Sequence, residues 1–373
     1  MVDLPLQVRA NDFERQWADI RDEALAAVDR VGRSGWLVLG EEVRLFEQEL
    51  AGWWGVQHAV GVASGLDAIE IALRAAGLER GAKVLTTALT AFATTLAIVR
   101  AGATPVWCDV DATGGLDLEQ ADAALQADPG ISAIVPVHLY GHPLDPEALE
   151  DLTRRHGVSL IEDCAQSAGA ERAGRPTGTA GAAAAASLYP TKNLGALGDG
   201  GVVLTDDPAL AEKARRLRDY GQRSRYEHAE IGLNSRLDEL QAAILRSAQL
   251  PRLDGWLKRR REIASEYLGA LGECGLRPIA AAGRSAHHLF PVEATAGDPG
   301  FVADELRRRG VGVGRHYPFV CPDQEAVAGI GEPLGSLPVA RRIAARELSL
   351  PIHPYLDGDE VQAVIQACLE VCR

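Results

Sequence analysis

The sequence predicts an α/β fold built on a mostly parallel sheet, and three observations predict it. Apolar runs at residues 58–62, 83–87, 104–110, 133–139 and 158–162 are near-continuous rather than alternating, as strands buried on both faces are. Stretches with apolar positions at helical spacing separate them, at 67–76, 90–100 and 146–155. Gly77, Gly102 and Gly157 follow those helical stretches, and glycine takes the left-handed turn at a helix end most easily. This β-α-β-α rhythm places helices on both faces of one sheet.

Each element follows in order. Residues 17–31 have helical spacing, and Ser34-Gly-Trp-Leu-Val-Leu-Gly40 reads as a loop into a second helix at 41–54. The alternating strands and helices come next, then a strand at 201–205 and a helix at 208–220. From Asn234 the pattern changes to long helices, expected at 235–249 and 253–271, with Ser235 and Asp238 resembling a capping box. Short strand-like pieces, a helix near 303–309 and a last helix at 359–372 complete the chain. A length of 373 residues is long for one core, so a large domain over 1–250 and a smaller one over 251–373 are expected.

Composition excludes several classes. A net charge of −14 leaves nothing to offset phosphate repulsion, so nucleic acid is not an expected partner. Lys258-Arg-Arg-Arg261 lies in a helical pattern and reads as a solvated face. The six cysteines are scattered, without a Cys-x-x-Cys pair or a His at zinc spacing, so no metal is expected and the thiols are read as reduced. Residues 1–6 lack the basic and apolar regions of a leader, and no segment is apolar enough to span a membrane, so a cytoplasmic location is expected.

Four places at strand ends carry candidate chemistry, because parallel sheets bind ligands at the carboxyl ends of their strands. Lys192 sits in the Gly-rich run from Ser187 to Gly201, one of four lysines among 38 basic residues. Unlike arginine, lysine can lose its proton when desolvated and so act as a nucleophile toward an aldehyde. A surface lysine before a tight turn is the plainer reading. Asp163 ends a buried strand, where a carboxylate is costly unless it meets a cation or several donors; it also fits a cap of the next turn. Gly61-Val-Ala-Ser-Gly-Leu-Asp67 runs from strand to helix, so Ser64 and Gly65 suit either a phosphate or a simple N-cap. Asn234 and Arg236 stand at a helix start suited to an anion, and Arg315 is a further candidate phosphate ligand.

The segments Glu162-Asp-Cys-Ala-Gln166, Ser187-Leu-Tyr-Pro-Thr-Lys-Asn-Leu194, Gly198-Asp-Gly-Gly201 and Asn234-Ser-Arg-Leu-Asp-Glu-Leu-Gln-Ala242 resemble the signatures of the DegT/DnrJ/EryC1/StrS family. The resemblance runs in order from about Pro5 to Pro354. It implies an aspartate-aminotransferase-like fold (fold type I of the pyridoxal-phosphate enzymes), with a mostly parallel seven-stranded sheet and a smaller C-terminal α/β domain. It implies a pyridoxal 5'-phosphate aminotransferase that moves an amino group from L-glutamate to a nucleotide-linked keto-sugar, or, in one branch, to an aminocyclitol precursor. Lys192 would be the Schiff-base lysine and proton carrier, and Asp163 the partner of the pyridine nitrogen. Gln166 would meet the ring's 3-oxygen, and Ser64, Gly65, Leu66 and Ser187 the phosphate. Asn234 would reach that phosphate from the neighbouring subunit of a homodimer, and Arg236, His316 and Tyr317 would contact substrate. In the family's dehydratase branch a His replaces the lysine, so Lys192 sets this chain apart from it. The high arginine and alanine content suggests a role in secondary metabolism.

Two departures stand out. Thr90-Ala-Phe-Ala-Thr94 places Ala91 where many members carry an aromatic residue over the ring, and Pro322 stands where members often carry a His. Loss of one stacking contact predicts cofactor retention weaker by about 1 kcal/mol.

Overall fold

The computed structural model describes residues 8–272 and 274–372. Residues 1–6, read above as lacking a leader, and the start of the resemblance at Pro5 lie outside the described residues. The sheet is built from β1 (His58–Val62), β2 (Lys83–Thr87), β3 (Thr104–Cys108), β4 (Ile131–Val135), β5 (Ser159–Asp163), β6 (Ala183–Ser187) and β7 (Gly201–Thr205). Their order is β1-β7-β6-β5-β4-β2-β3. Strand β7 runs antiparallel to both neighbours, and the remaining pairs are parallel. The two-residue strand Glu332–Pro333 pairs beside β3, so the sheet has eight strands where seven are expected.

The sequence reading passes over β6. Its four alanines, preceded by Ala182, look featureless, and alanine is a poor strand former. Burial decides instead: Ala183 and Ala185 face one core, Ala184 and Ala186 the other. Small side chains let helix α3 (Gly65–Ala75) lie close to the sheet centre. Helices Leu118–Ala127 and Pro338–Arg346 are likewise absent from the sequence reading.

The expected helix at 235–249 is broken. Only Glu239–Ile244 is α-helical; a π-helical turn at Leu245–Gln249 and a 3-10 turn at Leu250–Arg252 follow. Pro251 has no N–H to continue an α-helical ladder. Nor does the Ser235–Asp238 capping box form, because Ser235 has better partners. Its hydroxyl donates to Asp67 Oδ2 at 2.7 Å and accepts from the Ala63 N–H at 3.0 Å. Glu239, fully buried, accepts N–H groups from Gly40, Glu42 and Val43, a carboxylate at the start of helix Glu41–Trp54.

The long helix Leu253–Leu271 joins two cores. Leu253 and Leu257 pack under the large sheet, whereas Ile263, Ala264, Tyr267 and Leu271 pack in a second core. The second core is built on the antiparallel strands Leu276–Pro278, Phe290–Ala294 and Glu347–Leu350 and helices Pro299–Arg308 and Gly358–Val371. We propose that the division of the chain falls within this helix. Val8 packs in the second core, so the start of the described chain crosses to the smaller part.

Candidate active site

Strands β1, β5 and β6 end at one cavity of about 250 Å³. Ser64, Gly65, Leu66, Asp163, Ser187 and Lys192 all line it. Six of the residues singled out from sequence therefore meet in one place. Close approach explains Gly65: a Cβ there would come within 2.6 Å of Ser187 Cβ, so only glycine lets the α3 N-terminus touch the end of β6. Gly195 does similar work in the lysine loop, where a Cβ would meet the Pro190 carbonyl at 2.5 Å.

Asp163 is buried at the end of β5. Its Oδ1 accepts the Ala165 N–H at 3.0 Å and its Oδ2 the Thr94 hydroxyl at 2.8 Å. Among the described residues no cation pairs with it, and burial raises its affinity for a proton despite those two donors. Lys192 is partly buried, with its amine turned inward. Burial pulls its amine down to about 8, and the field of Asp163 opposes this only in part. An uncompensated carboxylate and a partly neutral amine on the walls of one cavity suit a planar ring with a basic nitrogen at one end and an aldehyde at the other. The residues present thus fit pyridoxal phosphate.

The end of the cavity formed by the α3 N-terminus suits an anion. Ser64 caps α3, accepting the Asp67 N–H at 3.1 Å, while the Gly65 and Leu66 N–H groups belong to the unsatisfied first turn. Asp67 would repel an anion there, but Arg100 pairs with it at 3.1 Å.

Gln166 is buried and does not line this cavity. Its Oε1 accepts the Tyr140 N–H at 2.6 Å and its Nε2 donates to the Tyr317 hydroxyl at 3.2 Å. Tyr140 holds φ 64°, an uncommon conformation for a side-chain-bearing residue that aims its N–H at Gln166. Tyr317 is thereby tied to Gln166, while His316 lines a second, smaller cavity with Thr191 and His288. Ala91 lines the cavity, whereas Phe92 packs into a core cluster, so neither covers a ring with an aromatic face. Pro322 lies in the 3-10 turn Cys321–Asp323.

Other expected residues are placed elsewhere. Asn234 is exposed and Arg236 is engaged with Asp219 at 3.2 Å and Asn234 Oδ1 at 2.5 Å, outside the cavity of their own chain. Arg315 is not free to bind phosphate. It caps helix Pro338–Arg346 instead, donating to the Ala344, Ala345 and Glu347 carbonyls.

Sequence reasoning misses His288, whose Nε2 lies 3.5 Å from Lys192 Nζ, and Thr94. Ser285-Ala-His-His288 lies nearly a hundred positions from Lys192 and carries no motif. His138, Glu162 and Cys164 cluster beside Asp163, but Glu162 is filled by His138 and the Gly178, Ala180 and Gly181 N–H groups, and His138 Nδ1 by the Leu144 N–H. That cluster braces the end of β5.

The profile of the DegT/DnrJ/EryC1/StrS aminotransferase family matches residues 18–369. The chain belongs to this family. As an aminotransferase of the DegT/DnrJ/EryC1/StrS type it is 43% identical over 363 residues to the dTDP-3-amino-3,4,6-trideoxy-alpha-D-glucose transaminase of Streptomyces venezuelae, covering 96% of this chain and 94% of that one. It is 40% identical to a "pleiotropic regulatory protein" of Geobacillus stearothermophilus, covering 97% and 98%. In structure it resembles S. venezuelae DesV, solved in complex with a ketimine intermediate, with a TM-score of 0.94, 42% identity and 99% of each chain covered. Among the described residues, no helix is long and apolar enough to cross a membrane.

Proposed function

We propose that this family member is a pyridoxal-phosphate aminotransferase that moves an amino group from L-glutamate to the keto group of a nucleotide-linked deoxysugar, in amino-sugar biosynthesis. The observation that carries the reading is that Lys192 and Asp163 line one cavity whose end is the N-terminus of α3. Two relatives act, by name, on dTDP- and UDP-linked sugars, which supports a nucleotide-linked substrate. Bound there, pyridoxal phosphate supplies an aldehyde for amines and a ring that draws electrons from the reacting carbon.

The chain's residues do the rest. Asp163 keeps a proton on the ring nitrogen, gaining in return the cation its buried carboxylate lacks. With its amine near 8, Lys192 is partly neutral at neutral pH. It can therefore attack an aldehyde and later take and return a proton at Nζ. Ser64, Ser187 and the Gly65 and Leu66 N–H groups would hold the phosphate, and Gln166 the ring's 3-oxygen. His316 and Tyr317 stand on the substrate side. Asn234 is exposed, and exposed Ile231, Trp36 and Leu37 add apolar surface. This suits a homodimer in which each protomer's Asn234 completes the phosphate end of the other.

Incubation of the holoprotein with L-glutamate and a panel of nucleotide keto-sugars should release 2-oxoglutarate with at least one of them. No release with any sugar, together with turnover of an inosose, would move the substrate to the cyclitols.

A further inference from the structure

A line of polar groups leads away from Lys192, and the reading above gives no role to His288, Ser349 or Glu347 in it. His288 Nε2 lies 3.5 Å from Lys192 Nζ, and His288 Nδ1 is buried without a protein partner. His288 lines a second cavity of about 80 Å³ together with Asn11, Thr191, His316 and Ser349. That is polar and roomy enough for bridging water. His316 Nδ1 lies 2.8 Å from Ser349 Oγ. The Ser349 hydroxyl bonds in turn to Glu347 Oε1, and Glu347 Oε2 accepts the His316 backbone N–H at 2.6 Å. Glu347 is fully buried.

We propose that Glu347, acting through Ser349 and His316, is a proton store for the amine end of the active site. The proposal rests on Lys192 being the group that handles the transferred proton. One hydroxyl hydrogen on Ser349 sets the logic. When Glu347 is ionised, Ser349 donates to it, so His316 must donate from Nδ1 and leave Nε2 as an acceptor. A proton arriving from Lys192, by way of His288 and water, binds His316 Nε2. His316 Nδ1 then gives its proton to Ser349 Oγ, and Ser349 gives its own to Glu347 Oε1. One proton enters and one is stored, with His316 neutral before and after; return reverses each transfer. Glu347 is thus a positioning and buffering residue, apart from the cofactor.

Titration supports the geometry. Burial raises the Glu347 carboxyl to about 7, against the Ser349 hydroxyl, the His316 N–H and the Arg315 field, which pull it down. Tyr140 and Tyr317 feel the Glu347 charge, and Glu293, held by Arg277 and Arg342, is its register partner on the adjacent strand. Burial lowers His316 to about 4 and pushes His288 well below the usual histidine range, so both stay neutral as a relay requires.

The test titrates the visible absorption of the bound cofactor in wild-type holoprotein and in Glu347→Gln, Ser349→Ala and Ser349→Thr, from about pH 5 to about pH 10. Wild type and Ser349→Thr should show an inflection near 7 that Glu347→Gln and Ser349→Ala lack. Single turnover with L-glutamate should slow about tenfold in those two variants at unchanged KM, with Ser349→Thr restoring the rate. An inflection that survives in both, rates within about twofold of wild type, or failure of Ser349→Thr to rescue would overturn the proposal. The serine pair decides alone if Glu347→Gln does not fold. The absorption titration needs no substrate, so the store can be tested even if L-glutamate or the nucleotide sugar proves wrong.

Discussion

Two lysines stand at opposite ends of one sheet and titrate in opposite directions. Lys83 begins β2, partly exposed, with Asp128 Oδ2 2.7 Å and Glu332 Oε1 2.5 Å from its Nζ. Those two carboxylates raise its amine to about 12. Lys192 beyond β6 has no such pair among the described residues, and burial takes it down to about 8. The cavities beside them differ in the reverse sense. The amino-end cavity, lined by Leu73, Arg80 and Ser132 among others, is about 580 Å³, more than twice the size of the carboxyl-end one. Volume therefore does not locate the chemistry. A desolvated amine and carboxylate without counter-ions do, because only they have free energy to release when a ligand arrives.

The contrast is open to experiment. Lys192→Ala should lose turnover by a factor on the order of 10⁴ or more, the combined loss of nucleophile and proton carrier. Lys83→Ala should leave turnover within about twofold, as exposed ion pairs contribute little; an equal loss at both would erase the distinction. The apoprotein offers a second probe. Below about 8, folded Lys192 is a buried cation that the unfolded chain holds in water, with an ordinary value of 10.5. Wild-type stability should thus rise relative to Lys192→Met as pH climbs from about 8 to about 10.5, where only the unfolded chain keeps the proton, by on the order of 3 kcal/mol in urea melts. A flat difference would mean that the amine is not desolvated. Asp163→Asn removes a charge-assisted hydrogen bond worth about 1.5–3 kcal/mol, so turnover should drop about ten- to a hundredfold, read from kcat. Ala91→Trp should restore a ring-covering face and tighten cofactor binding by about 1 kcal/mol in equilibrium dialysis. Arg80→Ala, at the larger cavity, should change kcat/KM by less than about twofold.

Legibility followed the range of the physics. Continuous apolar runs, helix-stopping glycines and the residues at strand ends are local, so β1 to β5 and the Lys192–Asp163 pair could be read from neighbours in the chain. Strand β6 could not, because what makes Ala183 to Ala186 a strand is burial between two cores contributed by distant residues. Ser235 departs from the expected local cap for the same reason: it has a choice of partners, and Asp67, far away in sequence, outcompetes that cap. His288 needs the fold to bring it near Lys192, and Glu347 needs it to reach His316. Arg315 looked available because its carbonyl partners on the following helix have no sequence signature.

The helix Leu253–Leu271 is anchored at one end beneath the large sheet and at the other in the smaller core. A jaw-like swing of one half against the other would have to bend that shaft. Admission of a bulky sugar nucleotide therefore falls to the peripheral segments around the mouth, and engineering for a larger guest would begin by trimming those rather than by loosening the joint.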